Sequence, residues 1–375
     1  MTIRASQAGS NDYQPASALI TLTAEPVKPT ISSNPTSQLV RSGSNATFTV
    51  NASGVFLTYQ WNFNGTAIAG ATTSSYSVIA SSATVGSYTC TITNSAGSVT
   101  TLAATLTLNT TRLANLSSRA FVGVSNLSVG FVTTGLTSKS ILLRGDGPSL
   151  ANYGINGVLA NPVLTLYNSV GVSLGSNSAW GGSSTLSSLF TQVGAYPLST
   201  TSSDSALLQS LTSGAYTAVV TGANGATGAA MLEIYDTDTS DTVSRLLNIS
   251  VRGMVSTGTS NITGGFVITG NSTETVLIRV VGPTLSSYGI SSVLSQPSLT
   301  LYNAAGIAIA SNTVWGGASA LSSAMTKVGA FSLPTTSSDS AVLVTLPTGA
   351  YTVQVSGVNG STGNALLEIY EVSSP

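Results

Sequence analysis

The sequence predicts an all-β protein of tandem β-sandwiches: one small sandwich, then two copies of a larger, jelly-roll-like one with at most one short helix per copy. Three observations lead there. Apolar residues alternate with Ser and Thr through most of the 375 residues, which is the period of a half-buried strand. Turn signals recur at short spacing over residues 27–108. From Arg112 onward the chain repeats itself: Phe131–Tyr235 aligns with Phe266–Tyr370 without a gap, and more than half the positions are identical.

Composition removes several function classes. Only 6% of residues are charged, the net charge is −1, and no basic cluster occurs. Nucleic acid and anionic membrane surfaces both call for such a cluster, so neither is expected as a partner. Mean hydropathy is positive, yet no apolar run approaches the roughly 18 residues of a membrane span. Histidine is absent and Cys90 is the single cysteine. That removes the commonest general base and zinc ligand, Ser-His and Cys-His nucleophile pairs, and any internal disulfide. No cofactor is expected. The opening MTIRASQAGS carries no hydrophobic leader and reads like the middle of something, so a removed secretion signal or a longer parent chain is expected.

Taken in order, residues 1–26 are a strand-bearing tail. Ala18–Ala24 has strong β character, and Pro26 and Pro29 break it. Arg4 through Tyr13 resembles the end of the small immunoglobulin-like repeats of large bacterial surface proteins. On that resemblance the strand containing Leu19, Ile20 and Leu22 lacks a sheet of its own. It is then either the end of a neighbouring repeat or a strand donated to another subunit, which would build a head-to-tail filament.

Residues 27–108 carry Gly43–Val50, Tyr59-Gln60-Trp61 and Gly86-Ser87-Tyr88-Thr89-Cys90. This pattern resembles the bacterial immunoglobulin-like domain: a B strand, a C strand with its core tryptophan, and an F strand with a tyrosine corner two residues before the cysteine. The B strand offers Phe48 and Val50 where a partner cysteine would stand. Cys90 is therefore expected as a buried free thiol packed near Trp61.

The duplicated region divides into residues 109–238 and 239–375. Ser140–Arg144, Val163–Tyr167, Ala215–Thr221 and Ala229–Tyr235 read as strands. Leu186, Leu189, Phe190 and Val193 fall at helical spacing before Gly194, and Leu321, Ala324, Met325 and Val328 repeat it before Gly329. Arg112-Leu113, Gly130-Phe131-Val132, Gly147-Pro148, Tyr153-Gly154-Ile155, Trp180-Gly181-Gly182, Ser202–Ala206 and Leu232–Tyr235 recur in the second copy. Together they resemble a domain common at the C-terminal ends of very large secreted proteins of environmental bacteria. That family implies no activity. Many members hold Asn and Asp before the tryptophan, where a cation would sit. Here Ser176–Ala179 and Ser311–Val314 contain no carboxylate.

Charge pairs Arg112/Arg245, Arg119/Arg252, Arg144/Arg279, Asp204/Asp339 and Glu233/Glu368 occur in both copies. Paired carboxylates are the chemistry of glycoside hydrolysis. Arg forks that hold carboxylates and loop carbonyls are the structural alternative, and it is favoured here. Asp236, Asp238 and Asp241 are spaced closely enough for a hard cation, but without the glycine and glutamate of an EF-hand loop they read first as a polar linker. Trp180 and Trp315 are candidates for sugar stacking or for packing. Asn-x-Ser/Thr triplets at Asn45, Asn109 and Asn248 are expected by chance in so hydroxyl-rich a chain.

Three functions remain. The favoured one is a non-enzymatic structural protein of a fibre, stalk or surface layer, extracellular or at the cell surface. It would self-associate head to tail or bind other surface proteins. The second is an adhesin or carbohydrate-binding module with glycans as partners. An enzyme of unusual chemistry is the remote third.

Overall fold

The computed structural model describes residues 2–10, 13, 16–21, 25–123, 125–238, 243–257 and 262–372. The chain forms two compact units, Met1–Leu108 and Asn109–Pro375.

The tail strand has a partner, contrary to the expectation of an unpaired one. Strand β1 (Thr2–Gln7) pairs antiparallel with β2 (Ala16–Thr21) in the register Arg4↔Leu19 and Ile3↔Ile20. Thr2–Gln7 is itself extended chain, and a Ser10↔Tyr13 bridge lies between the two strands in sequence. The backbone of β2 is thus hydrogen-bonded along one edge within its own chain, which meets part of the cost that motivated donation to a neighbour. Leu19 is 68% exposed; the side chain of Ile20 and the whole of Leu22 lie outside the described residues.

The rest of the first unit is a two-sheet sandwich of β3 (Thr30–Ser33), β4 (Gln38–Val40), β5 (Asn45–Thr49), β6 (Asn51–Ser53), β7 (Thr58–Phe63), β8 (Thr66–Ala67), β9 (Ser75–Ile79), β10 (Gly86–Asn94), β11 (Gly97–Thr100) and β12 (Ala104–Leu108). One sheet runs β4-β12-β10-β7-β8, with β11 on β10; β3–β6 and β5–β9 form the other side. Alternation on β5 buries Ala46 and Phe48 and exposes Asn45, Thr47 and Thr49. Cys90 lies opposite Trp61 in the β10–β7 ladder. Phe48 stacks on Tyr88 with ring centroids 4.5 Å apart. The Tyr88 hydroxyl donates to the Thr84 carbonyl at 2.7 Å, the tyrosine corner that ties strand to loop.

Among the described residues, each copy in the second unit holds eight strands and one α-helix. The first contains β13 (Arg112–Val122), β14 (Leu127–Thr134), β15 (Lys139–Asp146), β16 (Pro162–Asn168), β17 (Ser173–Asn177), α1 (Ser184–Val193), β18 (Ser205–Leu211), β19 (Gly214–Gly222) and β20 (Gly228–Asp236). The second contains β21 (Arg245–Val255), β22 (Thr263–Thr269), β23 (Glu274–Val281), β24 (Pro297–Asn303), β25 (Ala308–Asn312), α2 (Ser319–Lys327), β26 (Ser340–Leu346), β27 (Gly349–Gly357) and β28 (Gly363–Glu371). The helices fall where the apolar spacing places them. Gly194, left-handed at φ 71°, ends α1 as its spacing requires.

Repeat spacing predicts two separate sandwiches; the structure fuses them. Within a copy, β13 closes one four-stranded sheet, β18-β15-β20-β13, and β14 closes the other, β14-β19-β16-β17. Both would be open edges in isolation. Instead β13 pairs with β22 of the other copy, and β14 pairs with β21. Leu113 meets Leu246 where the two exchanged strands touch. The result is one hydrogen-bonded network of 16 strands, and one apolar core takes in both copies, with Leu116, Val129, Phe131, Ile249, Val251 and Phe266 buried at the seam.

Glycine marks the crossing. A Cβ on Gly135 would stand 2.4 Å from the Cα of Ser244, and one on Gly270 would stand 2.3 Å from the Cα of Thr111. In each case the chain entering from the other copy lies directly on the glycine, at a positive φ that favours glycine in any event.

An isolated copy should therefore not be a quiet monomer. Residues 109–238 expressed alone leave both edges unpaired, so sedimentation should show dimers or larger species. A soluble monomer with a cooperative unfolding transition would contradict the exchange.

Candidate functional site

The chemistry-bearing groups of the second unit are gathered under its two helices. The outer faces of β15, β18 and β20 are covered by α1, where Leu142, Trp180, Phe190, Leu198, Ala206 and Tyr235 form a second apolar layer. With both faces covered, β15 is buried almost throughout. Arg144 lies on the helix side, opposite Glu233 in the ladder. Its Nε is 3.3 Å from Glu233 Oε2, its Nη2 is 3.3 Å from Asp146 Oδ2, and its Nη1 donates to the Tyr196 carbonyl at 2.8 Å. The guanidinium sits 4.2 Å from the ring centroid of Tyr196 and 4.8 Å from that of Phe190. Tyr196 donates to Asp146 Oδ2, and Tyr235 donates to Glu233 Oε1, both at 2.7 Å. Two carboxylates thus face one guanidinium, Asp146 fully buried and Glu233 nearly so. Burial, followed by the neighbouring Glu233 charge, raises the Asp146 pKa well above the ordinary carboxylate value.

The second copy keeps the frame and drops one carboxylate. Arg279 Nε donates to Glu368 at 2.7 Å, its Nη1 donates to the Phe331 carbonyl at 2.6 Å, and its guanidinium covers the Phe331 ring at 4.3 Å. Tyr370 donates to Glu368 at 2.6 Å. Val281 and Phe331 stand where the first copy has Asp146 and Tyr196. The acid and the hydroxyl that donates to it are thus both present in one copy and both absent from the other.

Asp204 and Asp339 hold a loop, and neither makes an ion pair among the described residues. Asp204 accepts from the Gly147 N–H at 2.7 Å, the Ser202 hydroxyl at 2.6 Å and the Ser149 hydroxyl. Asp339 accepts from the Gly282 N–H and the Ser337 hydroxyl, both at 2.7 Å, and from Thr284. Each fixes the start of a short 3-10 helix, Pro148–Tyr153 or Pro283–Tyr288. The aspartate and glutamate of a copy are therefore tied to separate partners, not opposed across a cleft as glycoside hydrolysis needs.

Two expectations are corrected. Asp236 belongs to no polar linker. It ends β20, is buried, and lies 3.2 Å from Arg112 Nε and 3.0 Å from Lys139 Nζ. Two cations already occupy the oxygen a metal would use. The Asp238 N–H donates to Asp236 Oδ1 at 3.0 Å and its carbonyl accepts from Lys139; Asp241 lies outside the described residues. Arg245 pairs with Glu371 at the equivalent place, with Glu in place of Asp at the end of the last strand, so the second copy carries the same ion pair.

Trp180 and Trp315 offer no sugar platform, since each is 4% exposed. Their ring N–H groups donate to the Ser199 and Pro334 carbonyls at 2.9 and 3.0 Å. Arg119 is half-buried and Arg252 exposed, and neither makes an ion pair among the described residues.

In the first unit, Cys90 is buried in the cluster of Phe48, Val50, Trp61 and Tyr88, and burial pushes its thiol up to about 11. That is a packed, unreactive sulfur.

With this geometry established, comparison with known proteins bears on the first unit. The immunoglobulin domain family matches residues 28–94, and this segment is an immunoglobulin-like domain. No curated protein matches the chain. Among solved structures, the four N-terminal Ig domains of Dscam1 isoform 7.44 align at 27% identity over 26% of this chain and 25% of that one, with a TM-score of 0.23. A chimeric titin Z1Z2 aligns at 24% identity over 22% of this chain and 97% of that one, with a TM-score of 0.20. Tandem Ig repeats of Dlar align at 21% identity over 26% and 57%, with a TM-score of 0.21. The chain spans about a quarter of the Dscam1 structure.

The unequal clusters generate a prediction. Asp146→Val with Tyr196→Phe converts the first cluster to the second. Removing a buried charge in excess should leave stability unchanged or raise it by about 1 kcal/mol or more, whereas Arg144→Met strands two carboxylates and should cost about 3–5 kcal/mol. Because the native Asp146 pKa is raised, its contribution is fully present below the unfolded value and is lost as pH rises through the native one. The double variant should therefore gain on the parent from acidic to alkaline buffer. Thermal unfolding against pH checks it; a gap that shrinks with rising pH would refute it.

Proposed function

We propose that the chain is a non-enzymatic extracellular protein, a structural subunit of a fibre, stalk or surface layer assembled through its β-sandwich domains. The observation that carries this is the strand exchange. It consumes the two inner edges of each copy and leaves β17 and β25, together with β18 and β26, as the terminal strands of the fused network; of these, β17 and β25 carry the proposed contact between chains. Apolar side chains stand exposed at equivalent places on and beside these strands: Val172 and Leu174 on one, Ile307 and Ile309 on the other. An exposed apolar edge strand is where a sheet extends into its neighbour.

Pairing β17 of one chain with β25 of the next is a heterologous contact that need not close, so it propagates as a filament. This route needs no strand from the tail. The scaffold role of Trp61, Tyr88, Cys90, Arg144, Asp204, Glu233, Arg279, Asp339 and Glu368 fits it, since each is buried among partners that hold strand to strand or loop to sheet. So does a surface kept wet by hydroxyls and amides.

The test is self-assembly of the purified chain by light scattering and electron microscopy. Filaments that vanish in Val172→Lys with Ile307→Lys are expected. A parent that stays monomeric at every concentration, or a variant that assembles as well as the parent, would sink the proposal.

A further inference from the structure

We propose that Tyr153 and Tyr288 are two equivalent stacking platforms for a neutral sugar ring. They end the two 3-10 helices, Pro148–Tyr153 and Pro283–Tyr288, and are 60% and 59% exposed. Large aromatic rings so exposed in a charge-poor protein have to be accounted for, and four observations bear on these two.

The first is retention. Between the copies Ala151, Asn152, Asn156 and Gly157 have become Ser286, Ser287, Ser291 and Ser292, yet the tyrosine between them is kept. The second is the hydroxyl. The buried tyrosines Tyr216, Tyr351, Tyr235 and Tyr370 each donate to a protein oxygen, whereas among the described residues the hydroxyls of Tyr153 and Tyr288 have no protein partner. A ring kept for packing alone needs no hydroxyl.

The third observation is the mount. Tyr153 packs on Tyr196 and Tyr288 on Phe331, with centroids 5.0 Å apart in both pairs, and the rings beneath lie on Arg144 and Arg279. The helices that carry the tyrosines are pinned at their starts by Asp204 and Asp339. Each exposed ring is thus set in place before any ligand arrives, so little side-chain freedom is lost on stacking.

The fourth is the setting. No charged residue occurs in 147–161 or 282–296, while Asn152, Asn156, Ser286, Ser287, Ser291 and Ser292, within four residues of the tyrosines in the chain, are exposed. An aromatic face bordered by amides and hydroxyls complements the C–H face and hydroxyls of a neutral saccharide, and Tyr supplies apolar body and polar tip together. Stacked nucleobases fit less well, because the segments that carry the tyrosines have no cation for their phosphates and Arg144 and Arg279 beneath are fully buried. The two sites give the chain bivalence toward a polysaccharide. This reading is independent of the scaffold proposal, since neither tyrosine lies on the terminal strands.

The test uses the full chain in affinity electrophoresis through gels containing soluble β-glucan, xylan or galactomannan. At least one of them should retard the parent. Tyr153→Ala with Tyr288→Ala should lose the retardation, either single alanine variant should lose part of it, and the corresponding double phenylalanine variant, which keeps the rings and removes the hydroxyls, should fall between the parent and the double alanine variant. Saturation-transfer NMR on the unaltered protein with methyl glycosides decides the matter should the alanine variants misfold: transfer to ring C–H protons is expected. No retardation by any neutral polysaccharide with no transfer overturns the proposal. So does retardation indifferent to the double alanine change, capture of a protein partner alone, or binding confined to acidic glycans and abolished by salt.

Discussion

The second unit depends on one constraint: the first strand of each copy must hydrogen-bond to the second strand of the other. Buried backbone amides need partners, and the edges that β13 and β14 leave open within their own copy find theirs across the copy boundary. The exchange explains the shared core, since Leu116 and Phe131 of one copy are buried in the same cluster as Ile249 and Phe266 of the other. It also explains why glycine stands at 135 and 270, where the incoming chain leaves no room for a side chain.

The few charges follow from the same architecture. Helices α1 and α2 cover the outer face of a sheet whose inner face is already core, so any ionised group there must be matched on the spot. The Arg144 and Arg279 clusters achieve this with carboxylate, carbonyl and aromatic ring together. Asp204 and Asp339 achieve it with neutral donors from the loops they fix. Divergence between the copies obeys the rule, because a second carboxylate at Asp146 is accompanied by the Tyr196 hydroxyl and both are absent from the second copy.

Much of this was legible in the residues. Period-two alternation located the strands, the Trp61 and Tyr88–Cys90 spacing marked the immunoglobulin-like domain, and Leu186–Val193 ending at Gly194 announced the helix. Retained charges pointed to Arg144, Asp204 and Glu233. What stayed hidden was pairing, because a strand's periodicity records which face is buried and not which strand lies beside it. For that reason β2 read as orphaned and the copies as separate. Exposure was equally hidden: nothing local distinguishes Trp180, closed over by α1, from Tyr153, left open. Asp236 was misplaced because its partners Arg112 and Lys139 lie far away in the chain.

The seam itself is open to one direct measurement. Gly130 and Ser250 face each other across the β14–β21 ladder, and a Cβ built on Gly130 stands 3.7 Å from that of Ser250, within the Cβ separation of a disulfide. In the full chain, Gly130→Cys with Ser250→Cys should oxidise to an intramolecular bond. It should be seen as faster migration on a non-reducing gel at the monomer position and as the loss of two hydrogens by mass. Thiols that stay free under oxidising conditions in the folded protein, or that link only chain to chain, would contradict strand exchange between the copies of one chain.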